Sequence, residues 1–285
     1  MHGKRRNSEP HFLVANRSMT KLIVFTDLHM TPDGTTIIGL DPFERLRKGI
    51  EHVNLHHADA DRVIVTGDLT HRADHASYLR LKGLLSTLVP PAAITIGNHD
   101  SRERFLEVFD QVVPDEDGFV QQAIDFSDCR VLLLDTLFAP PYDYPASHAG
   151  LLCDRRLTWL DRRLAEADRP VLLFMHHPPH PTGFTGMDSI RLANEAAFYD
   201  TVLRHGNVRH IFAGHVHRTI GGSHRGIPFS IFKSPVHQQP MPFDTPNASL
   251  SVDEPGAYGI VVLTPEGLQV HTEDYEIARR DCVIA

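Results

Sequence analysis

The sequence predicts an α/β (α+β) fold with a ligand site at the carboxyl ends of its strands. Two observations carry that expectation. From residue 20 onward, short β-branched or leucine-rich runs alternate with stretches of helical periodicity, as in successive βα units. Five of those runs end in segments rich in Asp, His or Asn, the place where α/β sheets bind ligands.

Taken in order, Lys21-Leu22-Ile23-Val24-Phe25 is the first strand and runs into Thr26-Asp27-Leu28-His29. Phe43, Leu46, Ile50 and Val53 then recur at spacings of three and four, which predicts an amphipathic helix over 42–57 with Pro42 in its first turn. Arg62 to Thr66 is a second strand leading to Gly67-Asp68. A helix from about His75 to Leu88 and the Pro90-Pro91 break precede a third strand, Ala93 to Ile96, which enters Gly97-Asn98-His99-Asp100. Gln122 to Asp125 and Arg130 to Asp135 read as a strand pair. Asp154 is expected to cap a helix through Leu164, and Asp188 another to about Leu203. Between them, Val171 to Met175 is a buried strand ending in His176-His177. His210 to Ala213 enters Gly214-His215-Val216-His217, and Phe229 to Phe232, Tyr258 to Leu263 and Leu268 to His271 are candidate strands. The expected organisation is a flexible extension over 1–19, one folded domain over 20–275 and a tail over 276–285. The proline-rich stretch 136–150 reads as a long loop that could form a cap or a dimer contact, and a homodimer is the default expectation.

Composition narrows the function. Of 285 residues, 41% are hydrophobic and 22% charged, ordinary for a globular chain and unlike a disordered, collagen-like or coiled-coil one. With 28 Lys and Arg against 36 Asp and Glu, the formal charge is −8, which gives no electrostatic footprint for a nucleic-acid polymer. Cys129, Cys153 and Cys282 show no CxxC spacing, so neither a disulfide framework nor a thiolate zinc site is expected, and reduced thiols suit a cytoplasmic location. Phe12 to Ala15, behind Lys4, Arg5 and Arg6, is too short for a signal peptide's apolar core. No run approaches the roughly 18 apolar residues of a membrane span, so no membrane insertion is expected. The unusual number is 20 histidines, and neutral imidazole is a favoured ligand for transition metals.

Singly, each polar cluster has an ordinary explanation: a loop pair, a turn, or a helix cap at Asp100. Together, Asp27-Leu28-His29, Gly67-Asp68, Gly97-Asn98-His99-Asp100, His176-His177 and Gly214-His215-Val216-His217 follow apolar strands in a fixed order. This set resembles the calcineurin-like metallophosphoesterase superfamily, whose pattern DxH, GD, GNH[DE], H, GHxH is matched at every position. The resemblance implies a four-layer αββα sandwich of mixed sheets with two metal ions at the strand ends. By the same resemblance, Asp27, His29 and His217 hold one ion, Asn98, His176 and His215 hold the other, and Asp68 bridges them.

Physical chemistry is consistent with that division. A shared carboxylate lowers the repulsion between two close cations, and a mixed nitrogen and oxygen shell suits Fe, Mn, Zn or Co. Strand-like alternation in residues 214–217 is expected to turn both imidazoles to one side, and Gly67, Gly97 and Gly214 are expected to leave backbone room. The implied reaction is phosphate-ester hydrolysis by a metal-bridging hydroxide. In it His99 assists the departing oxygen and contacts substrate together with Asn98, unless His99 only orients Asp27 or a water.

The segment His176 to Asn194 and Val236-His237-Gln238 resemble bacterial class III cyclic-nucleotide phosphodiesterases and glycerophosphodiesterases, over residues from about 20 to 243. In the latter group a histidine matching His237 lies near the substrate phosphate. The expected substrate is therefore a small phosphodiester, a 3′,5′-cyclic nucleotide ahead of a glycerophosphodiester. A phosphomonoesterase is the runner-up, a nuclease is disfavoured by charge, and a non-catalytic scaffold is disfavoured because all seven ligand positions are filled. Other polar residues have plainer expectations. His177 and Asp100 bond around the site, His52, His56 and His57 are solvated, Arg102 and Arg104 meet either phosphate or solvent, Asn194 is a weak site candidate and Trp159 is a core anchor.

Overall fold

A computed structural model describes residues 19–138 and 146–277. The core of the expected cap or dimer loop, residues 139–145, lies outside the described residues, as do residues 1–18 of the extension and 278–285 of the tail, with Cys282. The first half of the chain runs β1 (Thr20–Phe25), α1 (Pro42–His56), β2 (Arg62–Thr66), α2 (His75–Leu85), β3 (Ala92–Thr95), α3 (Arg102–Val108), β4 (Gln122–Asp125) and β5 (Arg130–Leu134). It continues with α4 (Asp154–Ala165), β6 (Val171–Met175), α5 (Thr185–Asp188), α6 (Glu195–His205), β7 (Val208–Ala213), β8 (Ile220–His224), β9 (Ile227–Ile231), β10 (Ala257–Thr264) and β11 (Gly267–Asp274).

These strands form two mixed sheets, ordered β11-β10-β1-β2-β3 and β4-β5-β6-β7-β9-β8. β1, β2 and β3 run parallel, as do β5, β6, β7 and β9, while β10, β11, β4 and β8 pair antiparallel. Alternation of side chains along each strand builds the layers. Leu22, Val24 and Ile64 meet Val131, Leu133, Leu172, Phe174 and Phe212 between the sheets. Their neighbours Ile23, Phe25, Val63 and Val65 turn the other way, onto Leu46 and Ile50 of α1, Tyr78 and Leu81 of α2, and Phe105 of α3. On the second sheet Leu132, Leu134, Leu173 and Met175 face Trp159 and Leu160 of α4 and Phe198 and Val202 of α6. The result is the αββα sandwich. Strands buried on both faces read as continuous apolar runs, which is why the sequence made them visible as strands.

Several local expectations need correction. Asp154 is the first residue of α4, whose N-cap, Cys153, makes no side-chain cap bond. Asp188 caps no long helix: it ends α5, and its carboxylate accepts from the Thr182 amide and hydroxyl and the Gly183 amide, while α6 begins only at Glu195. Ser101, rather than Asp100, caps α3 through a bond from the Arg104 amide. His52 is half-buried, with Nδ1 2.8 Å from the Tyr258 hydroxyl. β8 escaped notice because Ile-Gly-Gly-Ser-His offers no apolar alternation. It is an edge strand, and a side chain at Gly222 would lie 2.8 Å from the Phe229 ring. Among the described residues no helix is long and apolar enough to cross a membrane, and Cys129 and Cys153 are free thiols.

Arg102 is partly buried and bound to a carboxylate. Its guanidinium forks onto the buried Asp135, with Nε and Nη2 donating over 2.7 and 2.9 Å, and Arg156 donates to the Asp135 and Leu137 carbonyls. This cluster ties α3 and α4 to the end of β5. Asp135→Ala leaves two cations without their carboxylate, so a stability loss of about 3–5 kcal/mol is expected by chemical denaturation. A loss below about 1 kcal/mol, the range of an exposed pair, would contradict that account.

Candidate metal centre

The exit loops of β1, β2 and β3 in one sheet and of β6 and β7 in the other converge where the sheets' parallel strands end. The first two loops run side by side, the Asp27 amide donating to the Gly67 carbonyl at 3.0 Å and the His29 amide to the Asp68 carbonyl at 2.9 Å. The loops of the second sheet are tied by the Gly214 amide on the His176 carbonyl at 3.0 Å. Close approach explains the glycines. At Gly67, whose φ is 102°, a Cβ would sit 2.7 Å from the Gly97 nitrogen, and at Gly214 it would collide with the Thr26 hydroxyl.

Left-handed backbone is the recurrent feature. Asp27, His29, Asp68, His215 and His217 have φ of 55°, 42°, 47°, 70° and 51°. Residues 214–217 are therefore a turn and not the extended segment the alternation suggested; it is the two left-handed histidines that bring both rings into the site. Such conformations cost roughly 1–3 kcal/mol each outside glycine and cluster where a site demands them.

Two carboxylates lie at the bottom. Asp27 accepts from the His215 amide at 3.0 Å and the Thr26 hydroxyl at 2.7 Å, with Oδ1 3.3 Å from His217 Nε2. Asp68 Oδ1 accepts from the His99 amide at 2.8 Å, which leaves Oδ2 facing inward, 3.3 Å from His176 Nε2 and 3.7 Å from His29 Nε2. That single oxygen thus stands between two sets of side chains. In the first set, His217 Nδ1 donates to the His237 carbonyl at 2.9 Å, so its Nε2 presents a lone pair, 3.1 Å from His29 Nε2. In the second, His176 Nδ1 donates to the Thr66 carbonyl at 3.0 Å, and its Nε2 is 3.0 Å from Asn98 Oδ1 and 3.2 Å from His215 Nδ1.

Acceptor atoms converging in a buried space repel unless a cation or a proton lies among them. The ionisation pattern reflects this. Burial opposes the imidazolium of His176, yet Asp68 and then Asp27 push it up to about 9, and Asp27 raises His217 against the same burial. Burial, and then neighbouring imidazoles, hold His29 well below the ordinary histidine range and His215 and His237 down at about 3, leaving neutral rings with lone pairs to give. The donor set of carboxylate, imidazole and amide oxygen therefore fits divalent metal ions.

Among the described residues, four groups each have their ligand atoms within 4.8 Å of one another: Asp27, His29 and Asp68; His29, His217 and His237; His29, His71 and His99; and His176, His177 and His215. His177 is spoken for, because Nδ1 meets the Thr136 hydroxyl at 2.8 Å and Nε2 the His148 carbonyl at 3.1 Å. His237 is different: it is buried, and among the described residues neither of its ring nitrogens has a hydrogen-bond partner. Asp100 accepts from the Gly97 and Leu69 amides and the Tyr78 hydroxyl, bracing the β2 and β3 loops. Asn194 is turned away, with its amide bridging the Leu152 amide and carbonyl.

Two participants were missed in the sequence. His71 stacks on His99 at 5.5 Å, and its carbonyl accepts from His99 Nδ1 at 2.9 Å. Its place three residues past Asp68, on the same exit loop, was a usable signal. His148 sits in the 3₁₀ turn Ala146–His148 with Nδ1 3.0 Å from Asn98 Nδ2, a contact across the fold for which no local pattern exists.

A cavity of about 360 Å³ opens over these groups, lined by His29, Asp68, Asn98, His99, His215, His217 and His237 among others. At its mouth, Ile37 and Leu40 exchange backbone bonds of 2.9 and 2.8 Å around Ile38 and Gly39, whose φ are 46° and 84°. This is a two-residue turn with both central residues left-handed, which favours Asn-Gly and strains an isoleucine.

The family described as calcineurin-like phosphoesterase matches residues 20–219. The chain is 40% identical over 253 residues to a protein of Rhodopseudomonas palustris named a probable cyclic nucleotide phosphodiesterase, covering 88% of this chain and 91% of that one. It is 31% identical over 199 residues to the 3′,5′-cyclic adenosine monophosphate phosphodiesterase CpdA of Pseudomonas aeruginosa, covering 69% of each. Among solved structures, a dimetal phosphatase from Danio rerio superposes with a TM-score of 0.62 at 17% identity, over 89% of this chain and 98% of that one, which is a likeness of fold.

Proposed function

This chain belongs to the calcineurin-like phosphoesterase family of phosphate-ester hydrolases, and we propose that it is a dinuclear metal-dependent phosphodiesterase acting on small diesters, 3′,5′-cyclic nucleotides foremost. The observation that carries the dinuclear reading is the inward oxygen of Asp68, poised between the His29 and His176 sets. In this reading Asp27, His29 and His217 would hold one ion, Asn98, His176 and His215 would hold the other, and Asp68 would serve both. Their type suits Fe, Mn, Zn or Co. Bound there, the ions would supply Lewis acidity toward the phosphoryl oxygens and the acidification of water that makes a nucleophile at neutral pH.

The remaining steps fall to the chain's own groups. His71 fixes His99 Nδ1 through its carbonyl, so Nε2 is the nitrogen left to hold a proton for the departing oxygen. One ring nitrogen of His237, in the same cavity, would donate its N–H to a phosphoryl oxygen. The Asn98 amide, steadied by His148, keeps its carbonyl oxygen toward His176 and would offer its remaining N–H to substrate. A cytoplasmic site of action accords with the free thiols Cys129 and Cys153.

The test is a turnover screen after reconstitution with Mn²⁺, across 3′,5′- and 2′,3′-cyclic nucleotides, glycerophosphodiesters and phosphomonoesters. The highest kcat/KM is expected on a 3′,5′-cyclic nucleotide. A glycerophosphodiester at the top would move the substrate to that class, and faster turnover of monoesters than of any diester would sink the diesterase reading.

A further inference from the structure

Histidines and carboxylates line only part of the cavity. Ile37, Ile38, Met187, Ile190, Ala248 and Leu250 reach the same space from three separate segments. Gln239, Ser249 and Ser251 are the polar residues among them. Met187 and Ile190 belong to the core of the second sheet, so that part of the wall is anchored. Ile38 is not: its side chain is 52% exposed, and it occupies the first left-handed position of the turn, where a β-branched residue is least suited. Burial within the fold does not offset that strain, and strain that the fold does not need is retained where a site uses it.

We infer that Ile38 and the apolar lining around it take the planar face of the substrate's nucleobase, and that this wall selects nucleotides over diesters of small polar alcohols. The inference rests on the phosphodiesterase reading above and names the part of the substrate that reading leaves open. Ile37 and Ile38 line one cavity with His29, His99 and His237, so a single molecule can set its phosphate at the histidines and its base at the wall. A nucleobase has two apolar faces and a polar rim, which matches a surface of aliphatic side chains with a few hydroxyl and amide groups at hand. A glycerol moiety laid on the same surface would give up water without regaining hydrogen bonds from the isoleucines, a penalty that falls on it alone.

The discriminating variant is Ile38→Asn, which installs the residue the turn prefers. The thermal midpoint is expected to rise by about 2–4 °C as the strain is relieved. The kcat/KM for 3′,5′-cyclic AMP relative to that for glycerophosphoethanolamine is expected to fall about tenfold, mostly through KM, as when a small apolar contact is removed from a pocket. An unchanged ratio, or equal losses on both substrates, would assign Ile38 a purely structural role and overturn the inference. Failure of the substrate reading shows itself separately, as a wild-type enzyme that turns over no cyclic nucleotide. The wall is then read with bis(p-nitrophenyl) phosphate as reporter, and the variant is expected to weaken inhibition by AMP about tenfold relative to inhibition by glycerol 3-phosphate. Equal weakening of both inhibitors overturns the inference there too.

Discussion

Asp68→Ala is expected to reduce bound metal from two ions per chain to one or none and to slow turnover by at least about 10³-fold, the rate equivalent of several kcal/mol of lost charge stabilisation. The expectation follows from geometry. Asp68 gives one oxygen to the His99 amide and turns the other between His176 and His29, so its loss strips a ligand from each proposed ion and adds repulsion between whatever cations remain. Asp68→Asn is the companion variant. It keeps the shape and the acceptor for the His99 amide but removes the charge, so a folded Asp68→Asn protein with depleted metal separates loss of the centre from loss of the fold. Elemental analysis of the purified variants reads the outcome. Two tightly bound ions with wild-type turnover in Asp68→Ala would falsify the shared-carboxylate arrangement.

His99→Ala is expected to keep both ions and lower kcat by about 10²- to 10⁴-fold on substrates with an alkoxide leaving group, the range of lost general-acid assistance. His99 lines the cavity with its Nδ1 held by the His71 carbonyl, which leaves one nitrogen for the reaction. Its amide, in contrast, serves Asp68 and survives the substitution. A p-nitrophenolate group departs without a proton, so the same variant is expected to lose much less on bis(p-nitrophenyl) phosphate. Equal losses on alkyl and nitrophenyl esters would make His99 a phosphate-binding or orienting group, and no loss on either would remove it from the reaction.

The site was legible in the sequence to an unusual degree because its polar residues sit next to strands. An apolar run buried on both faces announces a strand, and a polar residue within two positions of its end is carried to the edge of the sheet by that strand: Asp27 after Phe25, Asp68 after Thr66, His176 after Met175. Legibility ended where a side chain's partner lies far along the chain. Arg102 follows the Asn-His-Asp loop and read as a phosphate or solvent contact, yet Asp135, 33 residues on, takes it. His148 gave no local signal for its bond to Asn98, 50 residues away. Asp188 failed for a local reason: where a helix cap was expected, it closes a tight loop onto Thr182.

Local pattern by itself determined the α/β class, the strand ends and the set of residues gathered there, because periodicity and burial act over a few residues and need no partner. Only the tertiary structure decided which oxygen of Asp68 faces inward, which nitrogen of His176 and of His217 keeps its lone pair, and that five of the gathered residues sit in left-handed backbone. Those features are fixed by amides and carbonyls from other loops. Hydrogen bonds between loops far apart in sequence can outweigh local conformational preference, and only the assembled sandwich brings those loops together.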